Sequence, residues 1–249
     1  PAASRAAYLG VDRSNSGWLA VAFDRTGFDH AAVFEEVGGL WHRYEEVTER
    51  ALVDVPIGLR ESSGERECDR LARQVLGPRG AAVVTPPVRE ATRKRRYPAA
   101  TRVNERTAGR ELSKRAFAVS DAIAAVDDLL RNVPEARGAF AEAHPEVCFR
   151  AFAGSPLEHS AEPAGGYAER LTALATFDAD APPVVQRVAE AVAGTEATVA
   201  DVLNAVALAY TARPGPGRLR SLPPDPPRDP KGLPMGTRYR GTDLLEATA

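Results

Sequence analysis

The chain has 249 residues, of which 44% are hydrophobic and 27% are charged, and its formal net charge is −2. This composition is typical of a globular chain and excludes collagen-like, coiled-coil and disulfide-scaffold proteins. The near-neutral charge gives no overall signature of polyanion binding, and no apolar run approaches the roughly 18 residues of a membrane span.

Short apolar runs separated by polar turns open the chain. They cover residues 6–11, 18–23 and 30–34, and this spacing predicts three strands in an antiparallel meander. A short helix is predicted over 39–47, and residues 51–56 are predicted to form a fourth strand that Pro56 stops. The strand–helix–strand order favours a fourth strand that joins the sheet parallel to the first.

Helices are predicted to dominate the rest of the chain. Residues 65–76 have the helical pattern, and the apolar residues from 112 to 130 recur every three or four positions, which predicts one amphipathic helix. The other predicted elements are a fifth strand over 140–144 and helices over 163–174, 184–192 and 195–212. Residues 78–110 are predicted to form an irregular insertion.

The last part of the chain is rich in proline. Eight prolines lie between residues 214 and 234, which excludes a helix or an inner strand there because proline lacks the backbone donor. The apolar residues of this segment are Leu222, Leu233, Met235 and Tyr239. They favour an extended strap over 213–249 that lies on the body of one domain, 1–249, rather than a disordered end.

Three acidic residues stand at the ends of predicted elements. Asp12 follows the first strand, Asp54 follows the fourth, and Asp201 lies on the last helix with Asn204 one turn later. If the two strands are parallel neighbours, their carboxylates emerge at the edge of the sheet where active sites of open α/β sheets form. Taken singly, each acid would as readily begin a turn, cap a loop or face solvent.

Convergence of these acids would call for a cation. Three carboxylates without basic partners repel one another and raise one another's pKa. A hard divalent ion such as Mg²⁺ takes oxygen ligands and removes that cost. Two such ions about 4 Å apart stabilise both the attacking and the leaving oxygen in phosphodiester cleavage.

The order of elements and acids resembles the RNase H-like fold. Residues 200–209 are similar to the last metal-binding helix of RuvC-type Holliday-junction resolvases. More narrowly, the whole chain resembles the family called domain of unknown function 429, described as predicted RNase H-fold nucleases. The matching segments are 10–12, 17–18, 54–59, 66–80, 144–149 and 228–235.

This resemblance implies a five-stranded mixed sheet flanked by helices and a nuclease that uses Mg²⁺ or Mn²⁺. It implies that Asp12 bridges two ions and that Asp54 and Asp201 bind one each. Glu146 or Asn204 would complete the site. The chain departs from the family pattern in having Asn204 in place of an acid, Ala161-Glu162 in place of a lysine pair, and Arg13–Ser16 in place of a Gly-rich turn.

His144-Pro145-Glu146 is a second candidate constellation. His144 could act as a general base or contact phosphate, and Glu146 could be a further metal ligand. The alternative is structural: His144 packs at a strand end, and Glu146 pairs with one of the many arginines.

A basic stretch is the candidate nucleic-acid interface. Ten basic and three acidic side chains between residues 89 and 115 give this stretch a net charge of about +7. The candidate contacts, with Tyr97 available to stack on a base, are Arg13, Arg93, Lys94, Arg95, Arg96, Tyr97 and Arg102. Since no base-reading motif is visible, we expect recognition of DNA or RNA by phosphate and structure rather than by sequence. A solvated charged face is the simpler alternative.

Two other functions stay open at this point. The departures at Asn204 and Ala161-Glu162 are compatible with a catalytically impaired module that binds nucleic acid or a protein partner. A strand–turn–strand with Ser and Gly is also compatible with an actin-like phosphotransferase. Residues 1–5 lack a signal-type apolar core and the two cysteines match no metal or disulfide spacing, so we expect a cytoplasmic protein without membrane partners.

Overall fold

A five-stranded mixed sheet forms the centre of the computed structural model, which describes residues 7–15 and 17–247. The strands are β1 (Ala7–Ser14), β2 (Gly17–Phe23), β3 (Phe28–Phe34), β4 (Thr48–Val53) and β5 (Phe140–Glu142), in the order β3-β2-β1-β4-β5. β1, β2 and β3 pair antiparallel, whereas β4 is parallel to both β1 and β5. The predicted meander and parallel fourth strand are confirmed, and this arrangement is consistent with an RNase H-like fold.

Helices cover both faces of the sheet. They are α1 (Val37–Tyr44), α2 (Glu67–Leu76), α3 (Arg89–Thr92), α4 (Tyr97–Ala108), α5 (Lys114–Ala118), α6 (Ser120–Asn132), α7 (Pro134–Ala139), α8 (Pro145–Ala153), α9 (Ala164–Phe177), α10 (Ala181–Ala191) and α11 (Val199–Ala212). Leu19 and Val21 pack with α8–α11 on one face, and Leu9 and Val11 pack with α1 and α6 on the other. Burial on both faces explains the nearly continuous apolar runs of the inner strands.

Gly10 lets α11 lie directly on β1. A Cβ atom at this position would lie 2.0 Å from the Ala205 carbonyl oxygen and 2.2 Å from the Ala209 amide nitrogen. Only a residue without a side chain permits such a close approach of helix and strand. The contact matters for the site because it brings the start of α11 beside the end of β1.

The expectation of an irregular insertion over 78–110 was wrong. This stretch forms a 3₁₀ helix, Gly77–Ala82, followed by α3 and α4. Pro98 lies in the first turn of α4, where a missing backbone donor costs nothing. Gly109 ends α4 in the left-handed conformation (φ +70°).

Two further boundaries differ from the prediction. The single helix expected over 112–130 is divided into α5 and α6 at Val119 (φ −98°, ψ 2°), which leaves helical geometry while the apolar stripe continues. The fifth strand ends at Glu142 rather than at 144. His144 then serves as the N-cap of α8, a helix that the sequence analysis did not predict.

The proline-rich segment lies on the body, as predicted, and it also pairs with itself. β6 (Arg218–Leu222) and β7 (Thr237–Gly241) form an antiparallel two-stranded sheet. Its apolar residues Leu222, Leu233, Met235 and Tyr239 are all buried. A parallel bridge joins Arg238 to Ala143 just after β5. Among the described residues, no helix combines the length and the apolar character that crossing a membrane requires. Residues 1–5, used above to judge a leader segment, lie outside the described part of the chain.

Candidate active site

Asp12 and Asp54 lie side by side at one edge of the sheet. Val11 of β1 is the register partner of Val53 in β4, and the Asp54 amide donates to the Val11 carbonyl at 3.0 Å. Asp12 is only 3% exposed, and its carboxyl group lies close enough to that of Asp54 for each to change the pKa of the other. The parallel pairing of β1 and β4 therefore brings two acids that are 42 residues apart in sequence into contact.

Burial and like charge raise the pKa of both acids. For Asp12 the largest cause is burial, followed by the negative charges of Asp54 and Asp201, and the pKa rises well above its usual range. Burial also raises the pKa of Asp54, and the nearby His144 offsets part of that rise. Without a cation, the negative charge of Asp54 therefore opposes ionisation of Asp12. A divalent cation would offset this repulsion.

α11 contributes one neutral and one acidic side chain. Asn204 Nδ2 donates to Asp12 Oδ2 at 3.4 Å, a long hydrogen bond. Asp201 lies close enough to raise the pKa of Asp12, but one of its oxygens accepts the Thr198 amide at 2.8 Å in a helix-capping box. Asp201 lines a separate apolar groove, whereas Asn204 lines the same cavity as Asp54. The structure thus places Asp201 at the margin of the acidic pair.

Asn204→Asp is expected to tighten cation binding and to destabilise the metal-free protein. The change replaces a donor to Asp12 with a third negative charge, which further raises the pKa of Asp12. We expect the melting temperature without metal to fall and the upward shift caused by Mn²⁺ to grow, since a ligand stabilises in proportion to its affinity for the folded state. Thermal melts with a chelator and with MnCl₂ measure both effects.

The control for this variant is Asn132→Asp, the same change on an exposed residue at the end of α6. In this control, Mn²⁺ should raise the melting temperature by the same amount as in the wild type. An equal shift in Asn204→Asp and wild type would show that position 204 takes no part in cation binding.

The beginning of α8 brings two further groups to the pair. His144 Nδ1 accepts the Glu146 amide at 3.2 Å, so the neutral ring carries its proton on Nε2. Glu146 Oε1 accepts from Arg170 Nε at 3.0 Å, and Arg170 is fully buried. Glu146 Oε2 is buried and has no hydrogen-bond partner among the described residues. The structural interpretation of Glu146, pairing with an arginine, is therefore confirmed for Oε1, and the role of Oε2 as a metal ligand stays a prediction.

Arg170 is a site residue that the sequence analysis missed. Its guanidinium also donates to the Gly166 carbonyl at 2.9 Å, so it ties α9 to the first turn of α8. The sequence signal was weak: Arg170 is the single basic residue of α9, but it follows Glu169 directly and its burial is not evident from this pattern.

A cavity of about 530 Å³ opens beside the acidic pair. Asp54, His144, Glu146 and Asn204 line one part of it. The other walls come from α2, the 3₁₀ helix, the end of β5 and the loop at 160–162, and they include Arg13, Arg66, Arg79 and Arg115. Acidic and basic groups therefore face the same enclosed space, which suits a ligand that carries both a metal-binding oxygen and a further negative charge.

A buried ion-pair network forms the floor of this cavity. Arg66 is 2% exposed and donates to Asp69 Oδ2 at 2.9 Å and to Glu142 Oε2 at 2.8 Å. Glu142 Oε2 also accepts the Ile57 amide at 2.7 Å. The network ties the loop that follows Asp54 to β5 and α2, so it positions the acidic edge without facing it.

The possible cation ligands around Asp12 and Asp54 are widely spaced. Within the described ranges, two groups have three ligand atoms within 4.8 Å of one another, Cys68-Asp69-Glu142 and Glu158-His159-Glu169, and the Asp12 group is more widely spaced. Arg66 already neutralises the first of these, and Glu169 accepts two backbone amides in the second. The residues at Asp12 nevertheless suit Mg²⁺ or Mn²⁺, because a hard cation needs few protein oxygens and the unpaired Glu146 Oε2 offers one.

Comparison with known proteins gives a family and no named relative. The model of the family described as "Protein of unknown function (DUF429)" matches residues 10–228, which contain every acidic residue of the site. The chain belongs to this family. No curated protein and no solved structure matches it.

Most of the proposed nucleic-acid contacts of this DUF429 protein lie away from the cavity. Arg13 lines it and donates to the Gly17 carbonyl at 2.9 Å. Arg93 is paired with Asp127 and Asp128, and Lys94 with Glu90. The Tyr97 hydroxyl donates to the Leu112 carbonyl and its ring packs edge-on against Phe117. The four exposed candidates that do not line the cavity are Arg93, Arg95, Arg96 and Arg102.

Proposed function

We propose that this DUF429 protein is a metal-dependent hydrolase of phosphodiester bonds in nucleic acid. The observation that carries the proposal is that buried Asp12 lies beside the partly buried Asp54, and that neither forms an ion pair with a described lysine or arginine. Two adjacent carboxyl groups shielded from water without a basic partner are costly. A divalent cation, which must also take an oxygen of the substrate, would remove this cost.

Asp12, Asp54, the unpaired Glu146 Oε2 and the Asn204 side-chain oxygen would hold the cation. When bound, the cation lowers the pKa of a water and stabilises negative charge on the phosphate. His144 directs Nε2–H toward the cavity, because the Glu146 amide occupies its other nitrogen. It can donate this proton to a phosphate oxygen or to the leaving oxygen. Arg170 holds Glu146 in its orientation, as partners of metal ligands do.

Cleavage of single-stranded and branched oligonucleotides in MnCl₂ tests the proposal. We expect wild-type protein to cut at least one of these substrates and Asp54→Asn to lose at least about a hundredfold in rate, the cost of removing one group that stabilises transition-state charge. Asp225→Asn, the same change at an exposed position outside the cavity, should cut like the wild type. Equal rates for Asp54→Asn and Asp225→Asn would defeat the assignment.

A binding module without catalysis is the second candidate function. The observation that favours it is Asn204, whose amide nitrogen faces Asp12 where the resemblance leads us to expect an acid. Calorimetry separates the two functions. Heat from Mn²⁺ titration that disappears in Asp54→Asn favours the hydrolase, whereas oligonucleotide binding without any Mn²⁺ heat favours the binding module.

A further inference from the structure

One arginine in the cavity has no partner. The Arg79 side chain lines the cavity and makes no hydrogen bond or ion pair with any residue that the structure describes. Its Nε is buried without an acceptor. An unsatisfied buried donor costs about 1–3 kcal/mol, so an acceptor from outside the chain would be favourable at this place.

The backbone that carries Arg79 is held firmly. Arg115 donates to the carbonyl oxygens of Ala81 and Ala82 at 2.8 and 3.0 Å, and Arg73 Nε donates to that of Val83 at 3.3 Å. The buried Gly80 packs on α2, where a Cβ atom would lie 2.9 Å from the Arg73 carbonyl oxygen. The chain thus uses other arginines to fix the 3₁₀ helix and leaves the Arg79 guanidinium open to the cavity.

The charge around Arg79 suits an anion. Asp69 and Glu142 are already bound to Arg66, so they do not occupy Arg79. Arg79, Arg115 and Asp54 line the same cavity, and the positive charge of Arg115 acts to lower the pKa of Asp54. A guanidinium fork matches the oxygens of a phosphate group.

We propose that Arg79 binds a second phosphate group of the substrate while the phosphate under attack lies at Asp12 and Asp54. This inference rests on the proposed function for the attacked phosphate. A cavity of about 530 Å³ is in the size range of sites for single small ligands, so the substrate enters as one or two nucleotides of a single strand or strand end. Arg79 and not the α3–α4 stretch is then the main phosphate contact. Arg115 acts as a positioning residue.

Inorganic phosphate binding by the full-length protein in the presence of a chelator tests Arg79 without any need for cleavage. We expect calorimetry at constant ionic strength to show binding to the wild type and a tenfold to hundredfold loss in Arg79→Gln, since a hydrogen bond to a charged group contributes about 1.5–3 kcal/mol. Arg79→Lys should recover part of the affinity. Arg218→Gln, the same change at an exposed arginine of β6 outside the cavity, should bind phosphate like the wild type.

Oligonucleotide cleavage then identifies the source of the phosphate. With a 5′-phosphorylated strand and its unphosphorylated form, Arg79→Gln should raise KM about tenfold and change kcat little. A KM effect confined to the phosphorylated strand assigns a terminal phosphate, and an equal effect on both assigns an internal one.

Failure of this inference and failure of the proposed function give different results. Phosphate affinity that is absent in the wild type or unchanged in Arg79→Gln overturns the role of Arg79, whatever the protein cleaves. The other result is a protein that binds phosphate through Arg79 and cuts no oligonucleotide with Mn²⁺ or Mg²⁺. That result would support the anion site and contradict the proposed hydrolase function.

Discussion

Replacing Asp12 with asparagine is expected to abolish cation-dependent hydrolysis and to stabilise the metal-free protein. The activity should fall by at least about a hundred- to a thousandfold, because the variant loses the most buried oxygen ligand of the cation. The stability should rise because Asp12 is charged, buried and faces the negative charges of Asp54 and Asp201. Each kcal/mol gained would raise the melting temperature by about 2–4 °C for a chain of this size.

The raised pKa of Asp12 determines how the stability of the metal-free protein changes with pH. Because the pKa of Asp12 is raised in the folded state, its protonated form stabilises the fold. That contribution is fully present below the unfolded pKa of about 3.9 and is lost as the pH rises through the folded value. The same sign holds for Asp54. Metal-free wild type should therefore become less stable from mildly acidic to neutral pH, and Asp12→Asn should lose much of this dependence.

Divalent cations should reverse the trend. Since cation and proton compete for the same carboxyl groups, the melting temperature of the wild type in MnCl₂ should rise with pH, and that of Asp12→Asn should not. Melting curves at several pH values, with a chelator and with MnCl₂, measure this directly. A wild type that is more stable than Asp12→Asn at pH 7 without metal would contradict the electrostatic interpretation of the pair.

Arg66→Met is expected to cause the largest loss of stability, about 3–5 kcal/mol. The change leaves Asp69 and Glu142 buried without their common partner, and breaking a buried ion pair in this way costs far more than losing the pair as a whole. The melting temperature should fall by about 6–20 °C. The loss should be smaller at acidic pH, because burial already raises the pKa of Glu142 and protonation removes its charge.

An exposed ion pair supplies the control for Arg66. Arg106 pairs with Glu90 at 3.3 Å, and both side chains are more than half exposed. Arg106→Met should therefore cost less than about 1 kcal/mol. The triple variant Arg66→Met, Asp69→Asn and Glu142→Gln should recover part of the loss. Denaturant unfolding at pH 7 compares the variants. A cost for Arg66→Met as small as that of Arg106→Met would show that the network does not hold this edge of the sheet.

The acidic edge was predictable because its signals are local. Each strand is a short apolar run followed by a turn, and Asp12 and Asp54 stand directly at the ends of two such runs. The strand–helix–strand order then makes these strands parallel neighbours. The resemblance to a family added His144, Glu146 and Asn204, for which spacing alone offered no reason to prefer a site over a structural role.

The failures of prediction have one local and one tertiary cause. Proline has opposite effects in the first turn and in the middle of a helix, and Pro98 lies in the first turn of α4, a helix that the sequence analysis did not predict. The charge of residues 89–115 indicated a binding surface, but Asp127, Asp128 and Glu90 neutralise several of its members. These acids lie on α6 and α3, and their approach depends on how the helices pack.

By itself, the sequence determined the three-stranded meander, the parallel fourth strand and the meeting of Asp12 with Asp54, because apolar periodicity and chain connectivity act over a few residues at a time. Tertiary structure alone decided which charges are paired. It joined Arg170 to Glu146 and Arg66 to Glu142, 24 and 76 residues apart, and left Arg79 without a partner among the described residues. A buried arginine pairs with the carboxylate that tertiary packing brings near it, and the sequence pattern alone does not predict which carboxylate that is.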